Sequence, residues 1–201
     1  MKQLLKRTFA KKESKPEEKE SVWDIIRFTI IALAIVVPIR MFVAQPFIVS
    51  GDSMYPTFHN AEYLIVDELT YRISHPKRGD VIIFRYPNNP SRYFIKRVIG
   101  LPGETVTIKN NSVTITNKEH PEGFVLDENY LNVEVSGNQT TELSDTDYFV
   151  MGDNRPASSD SRAWGPLPEN FIVGRALVRL MPIQKFSVFP GHINKIDDNT
   201  Q

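Results

Sequence analysis

A mainly β fold, preceded by one membrane-spanning helix, is what the order of residue types predicts. Three observations lead to it. One long apolar run, Ile25 to Ala44, lies near the N-terminus. Beyond Pro46 the chain breaks into short segments rich in Val, Ile, Phe, Tyr and Thr, which fit a pleated, half-buried surface. Turn residues separate these segments, and no amphipathic helix of ordinary length follows the apolar run. An all-β domain, closed as a barrel or a folded sheet, satisfies all three.

The first 24 residues form a polar tail, with Lys2, Lys6, Arg7, Lys11, Lys12, Lys15 and Lys19 mixed among Glu13, Glu17, Glu18 and Glu20. Such a stretch buries too little to fold alone. Over the whole chain 24 basic residues balance 24 acidic ones, so there is no general attraction to nucleic acid. The chain has no cysteine, which excludes disulfides and thiolate metal sites.

Ile25 to Ala44 is the expected transmembrane helix. Its uncharged centre, Phe28 to Ile39, would rise only about 18 Å, too little for a bilayer core, whereas the longer span rises about 30 Å. Arg27 and Arg40 then sit near the two ends, where long cationic side chains reach the headgroups. Pro38 would kink the helix, which membrane helices tolerate. No small-x-small site closes a short apolar core, so a retained anchor is expected rather than a cleaved leader. The basic cluster before the span places the tail in the cytoplasm and residues 45–201 outside.

The expected strands are Tyr63–Val66, Val81–Phe84, Tyr93–Ile99, Thr105–Lys109, Ser112–Thr116, Tyr148–Met151 and Ile172–Met181. Arg78-Gly79-Asp80, Pro87-Asn88-Asn89-Pro90, Leu101-Pro102-Gly103, Asn110-Asn111 and Gly137-Asn138 are the turns between them.

Val49-Ser50-Gly51-Asp52-Ser53-Met54-Tyr55-Pro56-Thr57 places one hydroxyl, Ser53, between a Gly-Asp turn and a bulky Met-Tyr-Pro. A serine is a weak nucleophile without a base beside it. His59, His75, His120 and His192 all lie in polar, turn-like settings, which suits surface histidine. The strained Gly-x-Ser-x-Gly elbow is absent. Lys96 differs. On an extended strand Phe94, Lys96 and Val98 share a face while Arg97 points away. A lysine held against apolar groups loses hydration and becomes easier to deprotonate, so Lys96 can serve as the base. The ordinary alternative is a strand lysine that snorkels to water. The loop Met151 to Gly165 adds hydroxyls, carboxylates and guanidinium groups that must pair among themselves, with Asp160 and Arg162 the expected pair. Its Asp153, Asn154 and Asp160 do not have the spacing of an EF-hand calcium loop.

Taken together, these segments resemble bacterial type I signal peptidases, of the shorter form found in Gram-positive bacteria. The resemblance covers Gln45 to about Pro182 and rests on four ordered boxes: Ser50 to Thr57, Arg78 to Ile82, Lys96 to Glu104 and Gly152 to Arg162. It implies a Ser/Lys serine endopeptidase that removes signal peptides from secreted preproteins at Ala-x-Ala sites. Ser53 would be the nucleophile and Lys96 the general base. Ser158 would hydrogen-bond the lysine amine, and Asp160, Arg162 and Asp153 would brace the loop. Phe47, Val49, Met54 and Ile95 would line the pockets for small −1 and −3 side chains. The resemblance also implies an antiparallel β catalytic domain over 45–201, with a variable β insert at 105–145. It implies no cofactor and no metal. The partners are preprotein signal peptides and membrane lipid, not nucleic acid. The protein would be a monomeric, single-pass protein of the bacterial cell membrane. One departure is Gly51, where many Gram-negative members have a serine that helps bind the oxyanion. A self-cleaving protease of the repressor type would need a DNA-binding domain in place of the tail and anchor. A catalytically silent relative should lack the serine or the lysine.

Overall fold

The computed structural model describes residues 22–42, 44–131, 133 and 135–193. Most of the polar tail expected over 1–24 therefore lies outside the described residues. The chain divides into two units, residues 1–37 and 38–201.

Helix α1 (Val22–Phe42), which begins in the first unit and ends past its boundary at Val37, forms where the apolar run stands. Its large apolar side chains between Val22 and Val37 are exposed all round the helix. The expectation of a membrane-spanning helix at 25–44 is not met: among the described residues no helix is long and apolar enough to cross a membrane. Asp24 and Arg27 occupy its first turns, and a strand already begins at Ala44.

In the second unit the strands are β1 (Ala44–Ile48), β2 (Tyr63–Asp67), β3 (Val81–Tyr86), β4 (Asn89–Gly100), β5 (Thr105–Lys109) and β6 (Ser112–Thr116). β7 (Phe124–Val125), β8 (Gln139–Glu142), β9 (Asp147–Met151), β10 (Leu167–Pro168), β11 (Ile172–Met181) and β12 (Ser187–Val188) complete the set. Two one-turn helices interrupt them, α2 (Thr70–Ile73) and α3 (Ser161–Trp164). All the described pairings are antiparallel.

The main sheet runs β1-β2-β11-β3-β4-β9-β10, with β12 on β11, and a second sheet runs β7-β6-β5-β8. β3 is buried on both faces, and its alternation sends Val81 and Ile83 into one core and Ile82 and Phe84 into another. A third core joins Ile99, Phe149 and Met151 of the main sheet to Val106, Ile108, Val113 and Ile115 of the second and to Leu126 just beyond β7. Each such side chain contributes roughly 1.5–3 kcal/mol when fully buried. The insert is thus packed onto the strand that carries Lys96.

Two edges of the main sheet are open. β1 pairs only with β2 among the described residues. β9 covers β4 only from Arg97 to Gly100, so the part of β4 before Arg97 has β3 on one side and, among the described residues, no strand on the other. The two edges approach each other where the rings of Phe47 and Tyr93 meet edge to face, 5.3 Å between centroids.

Candidate active site

Ser53 sits in a tight turn pinned at both ends. Val49 N–H donates to the Glu62 carbonyl at 2.9 Å, and Ala61 N–H returns to the Val49 carbonyl at 2.8 Å. Gly51 adopts φ +90°, a left-handed conformation that a side chain would strain, and nothing crowds the space where its Cβ would lie. Conformation therefore accounts for glycine at this position. Met54 and Phe58 anchor the turn from beneath, both buried in the core around Leu64 and Ile83. Thr57 secures its far side: Oγ1 donates to Asp153 Oδ2 at 2.5 Å, and Arg179 Nη2 donates to the Thr57 carbonyl at 2.5 Å.

Lys96 comes in from β4. Its Nζ donates to Ser53 Oγ at 2.7 Å and to the Ile95 carbonyl at 2.9 Å. The side chain is only 3% exposed, and the Phe94 ring lies 5.3 Å from the nitrogen. Burial drives its pKa down from the ordinary 10.5 to about 8, against the opposing pull of the Asp160 and Asp153 carboxylates. The amine is therefore neutral in an appreciable fraction of molecules near neutral pH.

The loop after β9 closes the site. Asp160 caps α3 and accepts from Arg162 Nε and Nη2, both at 2.8 Å, and from Gly152 N–H at 3.0 Å. Burial alone would raise its carboxyl, but Arg162, the Gly152 N–H and nearby Ser158 together hold it below the usual carboxylate range. Asp153 forms a two-pronged pair with Arg97, Nε to Oδ1 at 2.8 Å and Nη2 to Oδ2 at 2.6 Å. Asn154 N–H donates to the Ser53 carbonyl at 3.0 Å, which stitches this loop to the nucleophile turn. Gly152 makes the approach possible, because a Cβ there would lie 2.2 Å from Ser158 Oγ and 2.4 Å from the Ser53 carbonyl oxygen.

Ser53 and Lys96 are thus brought together, and Asp160 and Arg162 pair as expected. Asp153 supports the loop through Arg97. The hydrogen bond expected from Ser158 to the Lys96 amine is not made: Ser158 Oγ is buried close to Asp160 but has no partner at hydrogen-bonding geometry. Lys96 spends its contacts on Ser53 and the Ile95 carbonyl instead.

A cleft of about 190 Å³ opens beside the pair, and Phe47, Val49 and Ile95 line it as expected. Met54 does not, because its side chain points down into the core. Ile48, Leu64, Ile83 and Tyr93 complete the apolar wall, and among the described residues no histidine lines it. Arg97, Thr57 and Arg155 were not singled out from sequence. Arg97 carried one signal: an arginine within an apolar strand must find a buried partner.

Residues 22–181 match the family model for signal peptidase, peptidase S26. A signal peptidase I of Bacillus amyloliquefaciens is 37% identical over 193 residues, covering 90% of this chain and 95% of that protein. A probable signal peptidase I-1 of Synechocystis is 35% identical over 177 residues, covering 83% of this chain and 88% of that protein. A crystal structure of an Enterococcus faecalis signal peptidase I aligns with TM-score 0.44 and 32% identity, covering 51% of this chain and 97% of that one. On the extent of the family match and of these sequence relatives, the chain belongs to the signal peptidase family, peptidase S26, as an enzyme of the signal peptidase I kind.

Proposed function

We propose that this enzyme removes N-terminal signal peptides from preproteins, cutting after Ala-x-Ala sequences, with Ser53 as nucleophile and Lys96 as general base. The observation that carries the reading is the 2.7 Å contact between Lys96 Nζ and Ser53 Oγ at a lysine shielded from water. Neutral Lys96 takes the Ser53 proton as Oγ attacks the carbonyl carbon of the −1 residue. The tetrahedral oxyanion faces the Ser53 backbone N–H. Collapse expels the new N-terminal amine, which leaves with the proton held by Lys96. Lys96 then deprotonates a water that hydrolyses the acyl-enzyme. Ser158, whose Oγ has no partner in the resting site, orients the amine once Ser53 is acylated. Asp160, Arg162 and Asp153 hold the loop on which this depends.

The substrate enters as an extended strand between the open edges of β1 and β4. Phe47, Val49 and Ile95 form the apolar wall that accepts small −1 and −3 side chains. The enzyme works at the cell membrane as a monomer, without a cofactor. The apolar side chains exposed around α1 hold it there. Ser53→Ala and Lys96→Ala are each expected to abolish cleavage of a preprotein with an Ala-x-Ala site while circular dichroism shows the domain folded. Turnover by either folded variant at more than a few per cent of the parent rate rejects the dyad.

A further inference from the structure

We propose that the insert after the base strand carries positioning residues for catalysis: Glu128, backed by Tyr130, fixes the active-site loop through Arg155. The proposal rests on the Ser53–Lys96 reading and adds to it a region that the family resemblance treats as variable.

Arg155 is the link. It is fully covered, and its side chain donates to Glu128, to the Tyr130 hydroxyl and to the Gly152 carbonyl. Nη1 donates to Glu128 Oε2 at 2.9 Å, Nη2 pairs with Glu128 Oε1, and Nε donates to the Gly152 carbonyl at 3.0 Å. A planar guanidinium held in a fork transmits position as well as charge. What it positions is Gly152, whose Cα faces the Ser158 hydroxyl and the Ser53 carbonyl with no room for one more carbon. The Arg155 carbonyl in turn accepts from Arg162 Nη2 at 2.7 Å, so the Asp160–Arg162 pair hangs on the same residue.

Tyr130 repeats the arrangement one step along. The Arg97 guanidinium lies 4.7 Å from the centre of its ring, and Arg97 holds Asp153, which holds Thr57 of the nucleophile turn. Glu128 and Tyr130 are themselves fixed. Leu126 is buried in the core shared by both sheets, and its N–H donates to the Val113 carbonyl at 2.8 Å. The Leu131 N–H closes a turn onto the Glu128 carbonyl at 2.9 Å.

Without the Glu128 carboxylate, the Arg155 guanidinium stays buried and must seek another acceptor, which drags Gly152 out of register with Ser53. Neither residue faces the substrate cleft, so the cost should fall on turnover and not on binding. The test uses the full chain in detergent, an Ala-x-Ala preprotein and Glu128→Gln. The expected result is a kcat at least tenfold lower, a KM within about twofold, and an acid limb of the pH profile that stays in place. Folded fraction and melting are followed in parallel. Glu128→Gln combined with Arg155→Lys should be no slower than the slower single variant, because both break one path. If Glu128→Gln does not fold, Glu128→Asp carries the test by withdrawing the same charge one methylene, with a several-fold fall in kcat expected. A kcat within twofold of the parent in the folded variant, or a loss that merely tracks the folded fraction, overturns the proposal. Failure of the dyad reading is separate: it appears as activity in Ser53→Ala or Lys96→Ala.

Discussion

The Lys96 nitrogen is subject to two opposing influences. Burial disfavours its charge, while Asp160 and Asp153 favour it, and burial wins. Two outcomes follow at this one residue. Below pH 8 the rate should fall about tenfold per pH unit as the amine protonates, read as the acid limb of kcat/KM. The second concerns stability. Because the folded pKa lies below the unfolded value of 10.5, the unfolded chain binds the extra proton between pH 8 and 10.5. Native stability therefore rises with pH across that window, and the penalty is full below it. Lys96→Met should be inactive yet more stable at pH 7 by about 3 kcal/mol, an advantage that fades between pH 8 and pH 10.5. Chemical denaturation at pH 7 and pH 10.5 checks this. The alternation of Phe94, Lys96 and Val98 foreshadowed the apolar setting of the lysine, because strand periodicity is local. Its distance to Ser53 was not legible, since that depends on how two segments 43 residues apart are folded together.

At the scale of elements, the loop from Gly152 to Trp164 is held by buried charge pairs and by one absent Cβ. Gly152→Ala should lower kcat at least tenfold, because the atoms it would strike include the backbone carbonyl of Ser53, which cannot swing aside. Activity at the parent level would mean that the loop yields freely. Asp160→Asn should cost about 3–5 kcal/mol, the usual effect of leaving a buried arginine partner uncompensated, measured by denaturant titration. It should also move the acid limb to lower pH, since it removes a carboxylate that stabilises the Lys96 ammonium. Three strands were legible to the residue, β5, β6 and β11, which fall where β-branched alternation placed them, whereas β4 starts at Asn89, inside the turn expected over Pro87-Asn88-Asn89-Pro90. β1 was not, because Pro46 and the preceding apolar run made Ala44–Ile48 read as the end of a helix and a break. Met54 was assigned to the pocket on family resemblance alone, whereas the turn around it aims the side chain inward. The Arg97–Asp153 pair spans 56 residues, beyond the reach of any local pattern.

In the whole molecule, one hydrophobic core serves both sheets, so the insert is continuous with the catalytic framework. The family resemblance located the insert, but its packing was hidden, because Leu126 and Tyr130 lie in a stretch of irregular backbone with no period to read. α1 poses the opposite problem, since its composition was plain from sequence while no helix among the described residues is long and apolar enough to cross a membrane. If it nevertheless holds the enzyme at the membrane, the full chain should float with phospholipid vesicles and a chain starting at Pro38 should remain behind. The central claim is that an uncharged Lys96 amine activates Ser53. The most direct test is to titrate the Lys96 side chain by NMR in the resting enzyme and compare it with the kinetic acid limb. Both should give about 8. A Lys96 that titrates near 10.5, or a limb that does not coincide with it, would contradict the account.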